Sequence, residues 1–170
     1  MSNSDAACIT LTEAEIKVAE YLVKARRRVR SEWLEEVRSK RDVIELERDA
    51  MEAEIAFCRS QNIYPDIDAT CRSTAQQFDC VTSTGVRVDV KWCGRPTDHL
   101  MTMPHKIGCS DIDAFVLVQG KRPTYRIVGW VPFATLINVS NLRDFGYGPT
   151  YAMKQEDLLP IETLDMEQHQ

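Results

Sequence analysis

Asp79 and Asp89 are separated by nine residues, and Lys91 stands two places after Asp89. Between the acids lies Thr82-Ser-Thr-Gly85, a turn signal, flanked by the strand-like stretches 78–81 and 86–92. With Ser83, Thr84 and Gly85 as the loop, Thr82 pairs with Val86 and Asp79 falls opposite Asp89. Opposed residues share a face, and Lys91 joins them through the strand's period of two. Two carboxylates about 4–5 Å apart repel by roughly 4 kcal/mol at an effective dielectric of about 20. Lys91 offsets part of this, and a divalent cation offsets more. Hard oxygen ligands around an open position suit Mg²⁺, with Mn²⁺ as a substitute. Val86, Val88 and Val90 point the other way and read as core.

The helix before the hairpin offers two further acids. The neighbours of Glu54 one turn away are Ala50, Met51, Phe57 and Cys58, all apolar, so Glu54 is expected to turn inward. Those of Glu52 are Arg48, Asp49, Ile55 and Ala56, which predicts a boundary or solvated position. Arg87 shares the face of Asp89 and Lys91, where it could touch phosphate or pair with a nearby acid. Arg95, His105 and Lys106 follow in the loop after the motif strand, in reach of a passing substrate or simply solvated. Trp92 and Trp130 end strands and read as core.

These side chains need a frame. Residues 1–10 read as a loose tail. Thr12 and Glu15 form a capping box, and Ile16, Ala19, Leu22 and Val23 share a helical face beyond it. Helix is expected to run on through Trp33, Leu34 and Val37, with a break near Ser31. A second helix is expected over 42–61 and a connector over 62–74. After the hairpin come a continuous apolar run at 114–118, which fits a buried central strand, a turn at 120–123 and a strand at 125–131. A short helix from Pro132 through Ile137, a loop at 146–149 and a returning segment at 151–161 complete the chain. This order predicts an α/β (α+β) fold, a mixed sheet with helices against it.

The length of 170 residues suits one domain. Hydrophobic residues make up 44% and charged residues 28%, ordinary for a globular protein, and no apolar run reaches the roughly 20 residues needed to span a bilayer. The start has no basic segment followed by an apolar one, so a cytoplasmic location is expected. Twenty-one Lys+Arg against 26 Asp+Glu give a net charge of -5, which excludes attachment to nucleic acid by bulk charge alone. A local contact stays open at the basic block 24–30, through Arg26, Arg27 and Arg30, whose other reading is a solvated helix face. The stretch 156–167 is acidic. Six cysteines in a reducing compartment read as small apolar fillers. Cys93, His99, His105 and Cys109 have the types for zinc, but their spacing does not match paired knuckles.

Asp79, nine residues and then Asp89-Val-Lys91, after a helix carrying Glu54, resembles the PD-(D/E)xK nuclease superfamily. The likeness spans about half the chain, from Met51 to Trp130. Glu52-Ala-Glu-Ile-Ala-Phe57, Asn62-Ile-Tyr-Pro-Asp66, Val86-Arg-Val-Asp-Val-Lys91 and Ile127-Val-Gly-Trp130 also resemble small phage-encoded members. The resemblance implies a restriction-endonuclease-like mixed sheet flanked by helices, over 42–161, with 1–41 as a basic helical extension and 162–170 as an acidic tail. It implies Asp79, Asp89 and the carbonyl of Val90 as metal ligands, Lys91 beside the attacked phosphate and Glu54 as an outer acid. The chain departs from the pattern in three places. Pro65-Asp66 is a literal Pro-Asp pair lying in the connector, Phe78 stands where the motif has proline, and the last acid is Asp rather than the commoner Glu.

The function expected is a Mg²⁺-dependent DNA endonuclease, with a homodimer as one possible assembly. The rival is a nuclease-fold binding or inhibitor module acting on a host protein, which the acidic net charge favours. A small zinc-binding regulator is the third alternative.

Overall fold

Thr12 opens the first helix as its capping box requires. Its N–H and hydroxyl both donate to the Glu15 carboxylate, at 2.7 and 2.8 Å, and the Glu15 N–H returns to the Thr12 hydroxyl at 3.3 Å. The computed structural model describes residues 8–30, 40–68, 78–104, 111–146 and 148–165. Helix α1 covers Glu13–Arg30 and helix α2 covers Lys40–Ser60. The expected break near Ser31 and the continuation through Val37 lie outside the described residues.

Five strands form the main sheet: β1 (Cys8–Thr10), β2 (Cys80–Val81), β3 (Arg87–Cys93), β5 (Ala114–Lys121) and β6 (Thr124–Pro132), in the order β1-β6-β5-β3-β2. β3 and β5 run parallel, and every other pair is antiparallel, so the sheet is mixed. The apolar run at 114–118 is the central strand, buried throughout. Of the loose tail expected at 1–10, Cys8–Thr10 instead form β1, paired with Arg126, Tyr125 and Thr124, and residues 1–7 lie outside the described residues.

A parallel neighbour needs a crossover, and residues 94–113 make it. They carry β4 (Leu100–Thr102) into a second sheet with β7 (Leu142–Asp144) and β8 (Pro149–Met153), ordered β4-β8-β7. Sequence reading missed this sheet. The segment expected to pack back from 151 is β8 followed by single 3₁₀ turns. The short helix after Pro132 is α3 (Phe133–Leu136).

The strand period of two divides the core. Val88, Val90, Ala114, Val116, Val118 and Ile127 face α1 and α2, while Phe115, Leu117 and Val131 face Leu100, Tyr151, Leu136 and Leu158. Each fully buried large apolar side chain contributes roughly 1.5–3 kcal/mol. The segments expected to flank the domain share this core, through Leu11, Ala19, Leu22 and Val23 at one end and Leu164 at the other. Gly129 lets the C-terminal segment close on β6: a Cβ there would meet the Leu159 carbonyl oxygen at 2.6 Å. Trp130 and Leu159 exchange backbone hydrogen bonds beside it, at 3.0 and 2.8 Å. Among the described residues no helix is long and apolar enough to cross a membrane.

Candidate metal and phosphate site on the β2–β3 hairpin

The hairpin closes at Thr82 and Val86, with Gly85 at φ 92°, a left-handed position that suits glycine. Thr84 donates to Asp165 at 2.6 Å and ties the tip to the C-terminal segment. Cys80 pairs with Val88 and Val81 with Arg87, which carries Asp79 level with Asp89. Beyond Cys80 the ladder becomes irregular. The Asp79 N–H bonds the Val88 carbonyl at 2.8 Å, and the Asp79 carboxylate takes the next donor, the Val90 N–H, at 2.8 Å. A residue's N–H and C=O point to the same side of its strand, so the Val90 carbonyl also faces Asp79.

Asp89 projects from the sheet face that meets the second core and is 3% exposed. Lys91 lies on the same face, its Nζ 2.6 Å from Asp89 Oδ1 and 5.9 Å from the centre of the Phe115 ring. The lysine thus compensates a nearly buried carboxylate and gains from the aromatic face below it. Two carboxylates and a carbonyl are hard oxygen donors, and their chemistry fits Mg²⁺ or Mn²⁺. Among the described residues there is no group of three or more His, Cys, Asp or Glu placed to hold a metal. A cation here would therefore depend on the Val90 carbonyl and on solvent or phosphate oxygens.

Arg87 is committed to acids at the start of β5. Its Nε and Nη2 donate to the two oxygens of Asp113 at 2.8 and 2.7 Å, and Nη1 lies 3.5 Å from Asp111. This fork holds the Asp113 carboxyl below the usual carboxylate range and raises the guanidinium further. The Asp113 N–H donates to the Arg87 carbonyl at 2.9 Å and the Arg87 N–H to Asp113 Oδ2 at 2.8 Å, which fixes the parallel register of β3 on β5. Of the two alternatives for Arg87, the structure has the ion pair.

The helical acids require a correction. Glu52, expected at a boundary, is fully buried. Its Oε2 accepts the Tyr125 hydroxyl at 2.8 Å, and its Oε1 accepts Arg122 Nε at 2.8 Å and Nη2 as well. Arg122 also reaches Glu20 of α1 at 2.8 Å. The network joins both helices to the β5–β6 turn, and burial together with the Glu52 contact pushes the Tyr125 hydroxyl up. Residues 51–58 are buried except Glu54, because α1 covers one flank of α2 and the sheet another. The apolar residues at i+3 and i+4, Ile55 and Ala56, were the available signal for Glu52.

Glu54 is the partly buried acid, 3.5 Å from Arg26 Nη1. Its charge is felt at the hairpin: the Cys80 thiol is pushed up by its hydrogen bond with Cys58, by burial, and by the charges of Asp79 and Glu54. Arg26 also donates to the Asp66 carbonyl at 3.1 Å, and Arg27 pairs with Glu47 at 3.1 Å. Two of the three arginines expected at a DNA contact thus pair with α2, an arrangement neither reading of the basic block anticipated. The side chain of Arg30 and the whole of Lys106 lie outside the described residues. Arg95 is exposed and 3.5 Å from Asp98.

The zinc-type residues separate. Cys93 is buried, its thiol pushed up to about 11 mainly by burial. His99 lies against Phe145, with ring centres 5.7 Å apart. His105 and Cys109 lie outside the described residues. No family model, curated protein or solved structure matches the chain.

Proposed function

We propose that the chain is a divalent-metal-dependent DNA endonuclease built on a restriction-endonuclease-like core. The observation that carries this is the hairpin: Asp79 level with Asp89, its carboxylate on the Val90 N–H, and Lys91 paired with Asp89. Asp79, Asp89 and the Val90 carbonyl would hold Mg²⁺ or Mn²⁺, which supplies a Lewis acid for the phosphate and an acidified water. Asp79 is oriented by the backbone it caps. The Lys91 side chain is 24% exposed, so its charge would be open to a phosphate oxygen and stabilise charge there. Glu54, positioned by Arg26, would be the outer acid.

Supercoiled plasmid nicking in Mg²⁺ and in Mn²⁺ tests this, beside Asp89→Asn and an EDTA control. Metal-dependent nicking that the variant loses is the expected result. A wild-type chain that cuts no DNA form in either metal would sink the proposal.

One observation favours the other reading, a nuclease-fold module that binds a host protein. Arg26, Arg27 and Arg87 are engaged with acids of the chain itself, and the net charge is -5. DNA affinity that survives high salt poorly but exists at low salt supports the enzyme, since phosphate contacts release counterions. Absence of DNA binding even at low salt supports the module.

A further inference from the structure

The second sheet carries a cavity of about 370 Å³, the lower end of the size range of ligand clefts, roughly 300–1,000 Å³. His99 and Phe145 line it with two tilted rings, and Phe145 is 40% exposed. Arg143 and Lys154 bring positive charge, while Asn141 and Asp157 bring carbonyl and carboxylate acceptors. Arg143 Nη1 is held by the carbonyls of Ser140 and Leu142, at 2.7 and 2.9 Å. Lys154 pairs with Glu156 at 3.2 Å, both ends exposed, a contact of little strength.

Phe145 is held in place from its own loop. Asp144 Oδ1 accepts the N–H groups of Gly146 and Gly148, at 2.7 and 3.2 Å, and both glycines take left-handed φ angles. A ring fixed this way loses little entropy when something flat lies on it. Rings for a base, acceptors for its amino group and cations for a phosphate together describe a nucleotide.

The cavity is also placed usefully. Leu100 and Tyr151 of the same sheet pack with Phe115 and Leu117, the β5 residues level with Asp89 and Lys91. Gln155, next to Lys154, donates to the Asp98 carbonyl at 2.8 Å and to Cys93 Sγ at 3.8 Å, at the end of the strand that carries Lys91. The sheet that bears the cavity therefore covers the candidate-site face of the main sheet.

We infer that this cavity receives an unpaired nucleotide of the DNA strand that the hairpin site would cut. The strand's identity rests on the nuclease proposal; the nucleotide chemistry rests on the cavity alone. Binding is measured by fluorescence anisotropy with the full chain in EDTA. The probes are a labelled single strand, a blunt duplex of the same sequence and fluorescently labelled dAMP. The single strand should bind more tightly than the duplex, and Phe145→Ala should weaken it about tenfold, while Phe145→Tyr keeps it. Both variants should still fold, because Phe145 belongs to neither core cluster.

Equal single-strand affinity in wild type and Phe145→Ala overturns the inference, even if the wild type cuts DNA. No binding of the single strand, with a fluorescently labelled dAMP that binds only when Phe145 is present, overturns the strand assignment. Phe145-dependent strand binding by a chain that cuts nothing upholds the cavity and removes the nuclease.

Discussion

Lys91 Nζ lies 2.6 Å from Asp89 Oδ1, and the aspartate side chain is almost wholly out of water. The pair stands over Phe115, on the sheet face that packs against the second core. Neither charge is therefore a surface ornament, and each changes what happens when the other is removed.

Lys91→Ala should lower thermal stability by about 1–3 kcal/mol, since it leaves a buried carboxylate without its ammonium. Asp89→Asn with Lys91→Ala should cost less than the sum of the two single changes, the signature of coupling. A purely structural lysine would stop there. A lysine beside the attacked phosphate should also lower turnover far more than DNA affinity, read as a loss in kcat with little change in Kd.

Millimolar Mg²⁺ or Mn²⁺ should raise the melting temperature. A ligand at a hundred times its Kd adds about 2.7 kcal/mol to the native state. Asp89→Asn should abolish the rise. A wild-type melting curve indifferent to both cations would argue against the Asp79–Asp89 site.

Glu52→Ala should be the most damaging change on α2, at about 3–5 kcal/mol, because Arg122 and Tyr125 lose a fully buried acceptor. Tyr125→Phe should cost about 1–2 kcal/mol. Glu54→Gln should leave the melting temperature nearly unchanged and reduce cleavage. Denaturant titration of the three variants, beside a nicking assay, separates the two acids.

Acid should weaken the β3–β5 junction. Arg87 holds the Asp113 carboxyl below its ordinary value, so the ionised form is favoured in the folded chain. A depressed carboxyl stabilises above the unfolded value, about 3.9, and the gain is lost as pH falls through the lower folded value. Asp113→Asn should remove this dependence. Melting curves of both proteins from neutral pH to about pH 2 should converge at the acid end.

The hairpin was legible because alternation, a turn signal and a charge pattern all agreed on its register. The central strand was legible because 114–118 is apolar without interruption. β1, β4 and β7 have three residues each, too few to display a period, and β7 is wholly exposed. Glu52 was misread because its neighbours on the helix were judged without the second helix and the sheet that cover it. Its partner Arg122 comes from a turn seventy positions later, which no local pattern announces.

The Asp79 carboxylate takes the Val90 N–H at the outer margin of the main sheet, past a β2 only two residues long. Such a margin is where foreign strands add and aggregates begin, and a side chain sitting on the donor blocks that template. Asp79→Ala would thus remove a proposed metal ligand and uncover a hydrogen-bond donor together. Losing activity in that variant mixes lost chemistry with self-association. Asp79→Asn keeps an acceptor oxygen for Val90 while removing the charge, so it is the variant whose inactivity speaks about the metal.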